Sequence, residues 1–146
     1  MRLGFYLDTS AGTPANTEIY NFLNDNISEF DDVAVFYDDV GFNPVQAKFG
    51  FFNGAELWSF KGNIICTSPH SFVSALNVAN KLNISYLFTA DQKEEKNILE
   101  LVKIARMGKV LVKNELDERM FHRITGVKPV NIHGLDVNKL KEALGG

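Results

Sequence analysis

The chain has 146 residues, 45% of them hydrophobic and 23% charged, with a formal net charge of −3 and a single cysteine. That length suits one domain spanning 1–146 that buries roughly two thirds of its unfolded surface. No apolar run reaches the roughly 18 residues of a membrane span, Asp8 interrupts the apolar start a leader peptide needs, and no Lys/Arg cluster marks a nucleic-acid footprint. The expectation is a cytoplasmic chain without a membrane span or a nucleic-acid partner, in which Cys66 makes no internal disulfide and acts as a small buried hydrophobe.

In chain order, Arg2 to Leu7 reads as a strand ending at Asp8, followed by the loop Thr9-Ser10-Ala11-Gly12. Thr13-Pro14 then places a capping hydroxyl and a proline where a helix starts, and Ala15, Ile19, Phe22, Leu23 and Ile27 give that helix an apolar stripe. Val33 to Tyr37 is a second strand, closing at Asp38-Asp39. Residues 41–60 are irregular and rich in aromatics: Phe42, Phe49, Phe51, Phe52, Trp58 and Phe60. Asn43-Pro44 is placed to cap a short helix through Lys48, and Glu56 to Phe60 reads equally as a short helix or a strand. The aromatics form either a satellite core beneath a long crossover or an exposed docking surface.

Gly62 to Cys66 is an unalternating apolar run, as expected of a strand buried on both faces. Ser68-Pro69 repeats the cap-plus-proline device before the stripe Phe72, Ala75, Leu76, Ala79 and Leu82, and Ile84 to Thr89 is the next strand. This βαβ unit is the centre of the sequence. Lys93 to Met107 reads as a helix on Ile98, Leu101, Val102 and Ala105, stopped by Gly108. Lys109 to Lys113 is a strand. Asn114 caps a helix with Asp117 in capping-box position, its inward face Leu116, Met120, Phe121 and Ile124, and Gly126 ends it. Val127 to Ile132 is broken by Pro129 and so belongs at a sheet edge. Asp136 caps a last helix packed through Val137, Leu140 and Leu144. Strands alternating with helices predict a three-layer α/β fold with a mostly parallel sheet of six or so strands in the order 3-2-1-4-5-6.

Ligands in such sheets bind beyond the carboxyl ends of the strands. Ser10, Gly12 and Thr13 there are either plain capping residues or an anion site made of backbone N–H groups. The Gly-x-Gly-x-x-Gly of a dinucleotide site is absent, so Asp38 is not read as a ribose ligand. Asp8, Asp38 and Lys113 faintly resemble a receiver-domain pocket, but the strand that should carry its phosphorylated aspartate ends in Cys66-Thr67-Ser68. A haloacid-dehalogenase-type site needs an aspartate where Ser10 stands. Both carboxylates therefore read as solvated or loop-capping groups. His70 is either a general base, a sugar-binding donor or a surface histidine; His122 reads as structural. The three histidines have no zinc spacing. No metal and no cofactor are expected.

The last third carries a resemblance. Val110 to Glu115, a helix, then Gly126 to Asp136 look like the close of the N-terminal domain of GT-B retaining glycosyltransferases, with Asn114-Glu115 and Gly134-Leu135-Asp136 on the family's positions and His133 where asparagine is common. Ile64 to Thr89 is similar to that family's βαβ, so the likeness spans about residues 62–140. It implies a Rossmann-like, acceptor-side domain without the nucleotide-sugar-binding C-terminal domain. Asp91 stands where the family has a histidine, and His70 is displaced from another. The implied chain is not catalytic alone. It binds a sugar or phosphorylated acceptor through Asp8, Ser10, Gly12, His70, Asp91 and Asn114, or completes its cleft with a separate donor-binding domain. The competing expectation is a non-enzymatic interaction or structural module that uses residues 42–60 for self-association or docking.

Overall fold

The computed structural model describes residues 1–78, 82–90 and 95–145, and one parallel sheet runs through them. Its strands are β1 (Arg2–Thr9), β2 (Asp32–Asp39), β3 (Gly50–Asn53), β4 (Gly62–Cys66), β5 (Leu82–Leu87), β6 (Lys109–Val112) and β7 (Val130–Asn131). They lie in the order β3-β2-β1-β4-β5-β6-β7, each neighbour parallel to the next. Helices α1 (Pro14–Asp25), α2 (Pro69–Leu76), α3 (Glu95–Met107), α4 (Glu115–Thr125) and α5 (Val137–Ala143) cover the two faces. The architecture is a three-layer, Rossmann-like α/β fold. The six expected strands become seven, and the expected order is corrected: Gly62–Cys66, read as the third strand and so placed at the edge beside the second, pairs with β1 instead, and the edge place is taken by Gly50–Asn53 from inside the undecided stretch.

Strand residues alternate between the two cores, as the pleat requires. Leu3, Phe5, Leu7, Val35, Ile65 and Leu111 pack with Ile19 and Leu23 of α1 and Leu140 of α5. On the other face Tyr6, Phe36, Ile64, Cys66, Tyr86 and Val112 pack with Phe72 of α2, Leu101 and Ile104 of α3, and Phe121 of α4. Because both faces are covered, the central strands are apolar without alternation.

The helix caps follow the sequence. Thr13 accepts from the Asn16 amide, Ser68 from that of Ser71, Asn114 from that of Asp117, and Asp136 from that of Lys139. Ser68 and Ser71 form a full capping box. At Asn114 the reciprocal contact differs from that motif, since its side-chain amide donates to the Asp117 carboxylate at 3.2 Å. Gly126 ends α4 in the left-handed region at φ 75°.

Several expected details are corrected. No helix follows Asn43-Pro44; Asn43 Oδ1 instead accepts from the Val45 amide in a tight turn. Gly54–Ser59 is a 3-10 helix, resolving the open choice at Glu56 to Phe60. Helix α2 ends at Leu76, and Leu82 opens β5 rather than closing the helical stripe; Ala79 lies outside the described residues. Ile98 and Leu116 are exposed, at 38% and 56%, while Ile104 and Asp117, outside the expected stripes, are buried. His122 is on the surface. The aromatic stretch divides: Phe49, Leu57 and Phe60 are buried, whereas Phe42, Phe52 and Trp58 are exposed. Among the described residues, no helix is long and apolar enough to cross a membrane.

The chain runs from β1 outward to β2 and β3, then crosses back over both to β4 through residues 54–61. The direction of winding therefore reverses between β1 and β4, and the strand ends splay apart at that point.

Candidate functional site

Two recesses open at the carboxyl end of the sheet, and Asp8 borders both. Asp8 follows Leu7, the last fully buried residue of β1, so the strand carries its carboxylate out of the core into solvent. Ser68, at the start of α2, donates to Asp8 Oδ1 at 2.7 Å and fixes it across the reversal between β1 and β4.

The recess on the α1 face is a cleft of about 230 Å³. Strand β1 contributes Asp8 and Thr9 and β5 Leu87; Thr67, Thr89 and Lys113 follow the ends of β4, β5 and β6, and the cap and first turns of α1 contribute Thr13, Ala15, Asn16 and Ile19. Leu87, Ile19 and Ala15 supply apolar wall; the rest is hydroxyl, amide and charge. Lys113 is the cation, and its ammonium donates to Glu18 Oε2 of α1 at 3.1 Å. Asn16 is buried, donating to the carbonyls of Thr9 and Ala11 at 3.0 and 2.9 Å, which closes the loop onto the helix.

The recess on the α2 face, about 440 Å³, is lined by Asp8, Asp38, Asp39, His70 and Ser74. Tyr6 donates to Asp38 Oδ1 at 2.6 Å, and His70 Nε2 stands 3.3 Å from Asp38 Oδ2. The contact of Tyr6 with Asp38 needs Gly54, where a Cβ would sit 2.5 Å from Asp38 Oδ1 and 2.6 Å from the Tyr6 hydroxyl. Burial, and then the hydrogen bond to Asp38, push the Tyr6 phenol far above its ordinary value, so Tyr6 is a neutral donor throughout the physiological range. Burial likewise raises the Cys66 thiol; with no thiolate available, it is inert as a nucleophile.

The six expected ligand-binding residues are distributed unevenly. Asp8 is the wall common to both recesses, and His70 lies on the α2 side only. Ser10 is buried, and its hydroxyl both accepts from the Gly41 amide at 2.8 Å and donates to the Gly41 carbonyl at 3.2 Å. Gly12 packs against Pro44, leaving no room for a Cβ. The four amides of residues 10–13 all have intramolecular acceptors, at Asp39, Thr9, Phe42 and Ala11. They have no N–H left for an anion, and plain capping explains Thr13. Asn114 is spent on the start of α4. Asp91 lies outside the described residues. Thr67 and Thr89 open two of the strand-end segments, Thr67 to His70 and Thr89 to Gln92, at which the sequence places ligands, though no role attaches to either hydroxyl there; Asn16, inside α1, carries no such signal.

Among the described residues, no group of three or more His, Cys, Asp or Glu side chains is placed to hold a metal ion. No protein-family model, curated protein or solved structure matches the chain. The fold is Rossmann-like in the general sense, and none of these comparisons ties it to the glycosyltransferases.

Proposed function

We propose that this chain is a ligand-binding α/β protein whose cleft between β1 and β4 seats one sugar ring, in the manner of the acceptor side of a glycosyltransferase, without turnover on its own. The observation that carries this reading is the convergence of Asp8, Thr9, Thr67, Thr89 and Lys113, from four strands, on one cleft at the winding reversal. Hydroxyl groups both donate and accept, so a polyhydroxylated ligand suits a wall of threonines. Asp8 accepts from such a ligand and Lys113 donates to it. One carboxylate and one ammonium, the latter already paired to Glu18, favour a near-neutral ligand over a polyanion. Size supports the absence of turnover: about 230 Å³ is below the roughly 300–1,000 Å³ of pockets for drug-sized ligands, enough for one ring and too little for a nucleotide-sugar with an acceptor.

The test is a calorimetric or ligand-observed NMR titration of the whole chain with neutral monosaccharides and, separately, with sugar phosphates. Saturable binding is expected, and Asp8→Asn should weaken it about tenfold, the worth of one hydrogen bond to a charged group. A sugar phosphate that binds more tightly, with the gain lost in Lys113→Met, would shift the ligand to a phosphorylated acceptor. No saturable binding by either class, or an unchanged affinity in Asp8→Asn, overturns the reading.

The exposed Phe52 of β3, on the edge that no other described strand covers, favours a second reading in which two copies associate along this side. It expects concentration-dependent dimerisation in sedimentation that Phe52→Lys abolishes.

A further inference from the structure

One polar atom of the cleft wall is fixed by the fold and yet has no partner in it. Asn16 stands in the first turn of α1, where Thr13 Oγ1 accepts its backbone amide at 3.1 Å. The residue is 9% exposed, and both hydrogens of Nδ2 are spent, on the Thr9 carbonyl at 3.0 Å and the Ala11 carbonyl at 2.9 Å. These two bonds settle which way the carboxamide faces, since the flipped group would set its oxygen against two carbonyl oxygens. Asn16 Oδ1 is then a pure acceptor, and no hydrogen bond reaches it. Nor is it sealed in: among the described residues, the side-chain atoms buried without a partner are Asp38 Oδ2 and Asn63 Oδ1. The Asn16 oxygen therefore keeps accessible surface, and Asn16 is part of the cleft wall. Asn24, further along the same helix, shows the contrast. Its carboxamide also ties α1 to a loop, but with both ends: Nδ2 donates to the Gln46 carbonyl and Oδ1 accepts from the Lys48 amide, each at 2.9 Å. Asn16 makes the same kind of tether and has its acceptor to spare.

We infer that Asn16 determines specificity in the cleft: its Oδ1 accepts from one hydroxyl of the ligand, so the ligand must present a hydrogen-bond donor to the α1 wall. The inference rests on the sugar reading given above and narrows it. A carboxamide oxygen takes a donor and offers none, whereas the threonine hydroxyls of the cleft adapt to either polarity. Because two bonds already hold the side chain, little rotamer freedom is left to lose on binding. A ligand that covers this oxygen without donating to it leaves a desolvated, unpaired acceptor, which is unfavourable. The same polarity keeps phosphate and carboxylate groups away from Asn16 and leaves Lys113 as the cation beside which an anionic group would sit.

The experiment is an NMR titration of the whole chain with glucose, galactose and mannose, then with the monodeoxy and deoxyfluoro analogues of whichever binds most tightly. Fluorine in place of hydroxyl keeps the polarity of the bond but cannot donate, so the two series isolate the donor. At one ring position both analogues are expected to bind about tenfold more weakly than the parent sugar. The parent should shift the side-chain amide resonances of Asn16, and those two analogues should not. In Asn16→Ala the parent is expected to fall to the affinity of the analogues, so that discrimination at that position vanishes. Asn24→Ala, which removes a tether outside the cleft, should keep the tenfold ratio. If Asn16 were only a tether, its loss would lower all affinities together and leave the ratio intact, which overturns the inference. So does a series in which no position loses affinity in both analogues, or parent binding that leaves the Asn16 resonances unmoved. If Asn16→Ala does not fold, the analogue series and the Asn16 resonances of the unaltered chain decide. Absence of saturable binding by all three sugars removes the sugar reading and this inference with it; the other failures leave that reading standing.

Discussion

His133 has φ 52°, and among the described residues it is alone outside glycine in the left-handed region; Gly134 follows it at φ 91°. The pair turns the chain from β7 toward α5, and the turn is held by the Gly134 amide on the Lys113 carbonyl at 2.7 Å and the His133 amide on Asn131 Oδ1 at 2.9 Å. Asparagine, aspartate and histidine tolerate this backbone better than other side chains, and β-branched residues tolerate it worst. His133→Asn is expected to leave stability within about 0.5 kcal/mol, whereas His133→Val should cost about 1–2 kcal/mol. Urea denaturation of the two variants checks both, and equal midpoints would show that the turn carries no backbone strain.

At the scale of elements, Ser68 is the junction of fold and site. It caps α2 through the capping box and also fixes the Asp8 carboxylate. Ser68→Ala should therefore destabilise the chain by about 1 kcal/mol and weaken any cleft ligand that Asp8 holds, while Ser71→Ala disturbs the box and leaves Asp8 alone. Thermal melting with a parallel binding titration separates the two effects. Elements with strong local signals were legible: the apolar runs of β1, β2, β4 and β6, and the four side-chain caps. The strand β3 was not, because Gly50-Phe51-Phe52-Asn53 is a four-residue edge strand with half-exposed side chains and offers no period. In α4 the expected stripe holds at Met120, Phe121 and Ile124 and fails only at Leu116, which is turned outward where the contact between Asn114 and Asp117 buries a carboxylate instead. The site was half legible for a similar reason. Strand ends announce Asp8 and Lys113, but the fate of Ser10 and Gly12 is decided by Gly41, Phe42 and Pro44, about thirty residues away, which no local pattern contains.

For the whole molecule, the buried phenols set an alkaline limit. Tyr20 is fully buried and donates to the Ser10 carbonyl; burial pushes its phenol from 10.0 up to about 12, and Tyr6 and Tyr86 are raised further. Above the unfolded value the unfolded chain has lost a proton that the folded chain keeps, so stability is full below pH 10.0 and falls as the pH climbs toward 12. Each phenol adds about 1.4 kcal/mol per pH unit to the slope within its window. Tyr20→Phe should make the decline shallower by about one proton, at a cost near neutrality of about 0.5–1.5 kcal/mol for the lost hydrogen bond. Urea midpoints measured from pH 8 to 11 test this; an unchanged slope would mean that Tyr20 titrates normally in the fold.

The return from β3 to β4 has a mechanical meaning. Through the registers, Asn53 stands level with Leu7 and Gly62 level with Arg2, so the link must travel about 14 Å sideways and about 17 Å back along the strands, a diagonal of about 22 Å. Six residues of 3-10 helix and three extended steps reach about the same distance. The link is a taut stay with no slack, tying the outer edge of the sheet to its middle. Removing Ala55 should pull β3 out of register or off the sheet, seen as loss of amide-exchange protection at Phe51 to Asn53, while one glycine inserted after Lys61 should leave that protection in place. A chain that tolerated the deletion as well as the insertion would have hidden length to spare. As built, the edge strand is held at the end of a line already drawn tight.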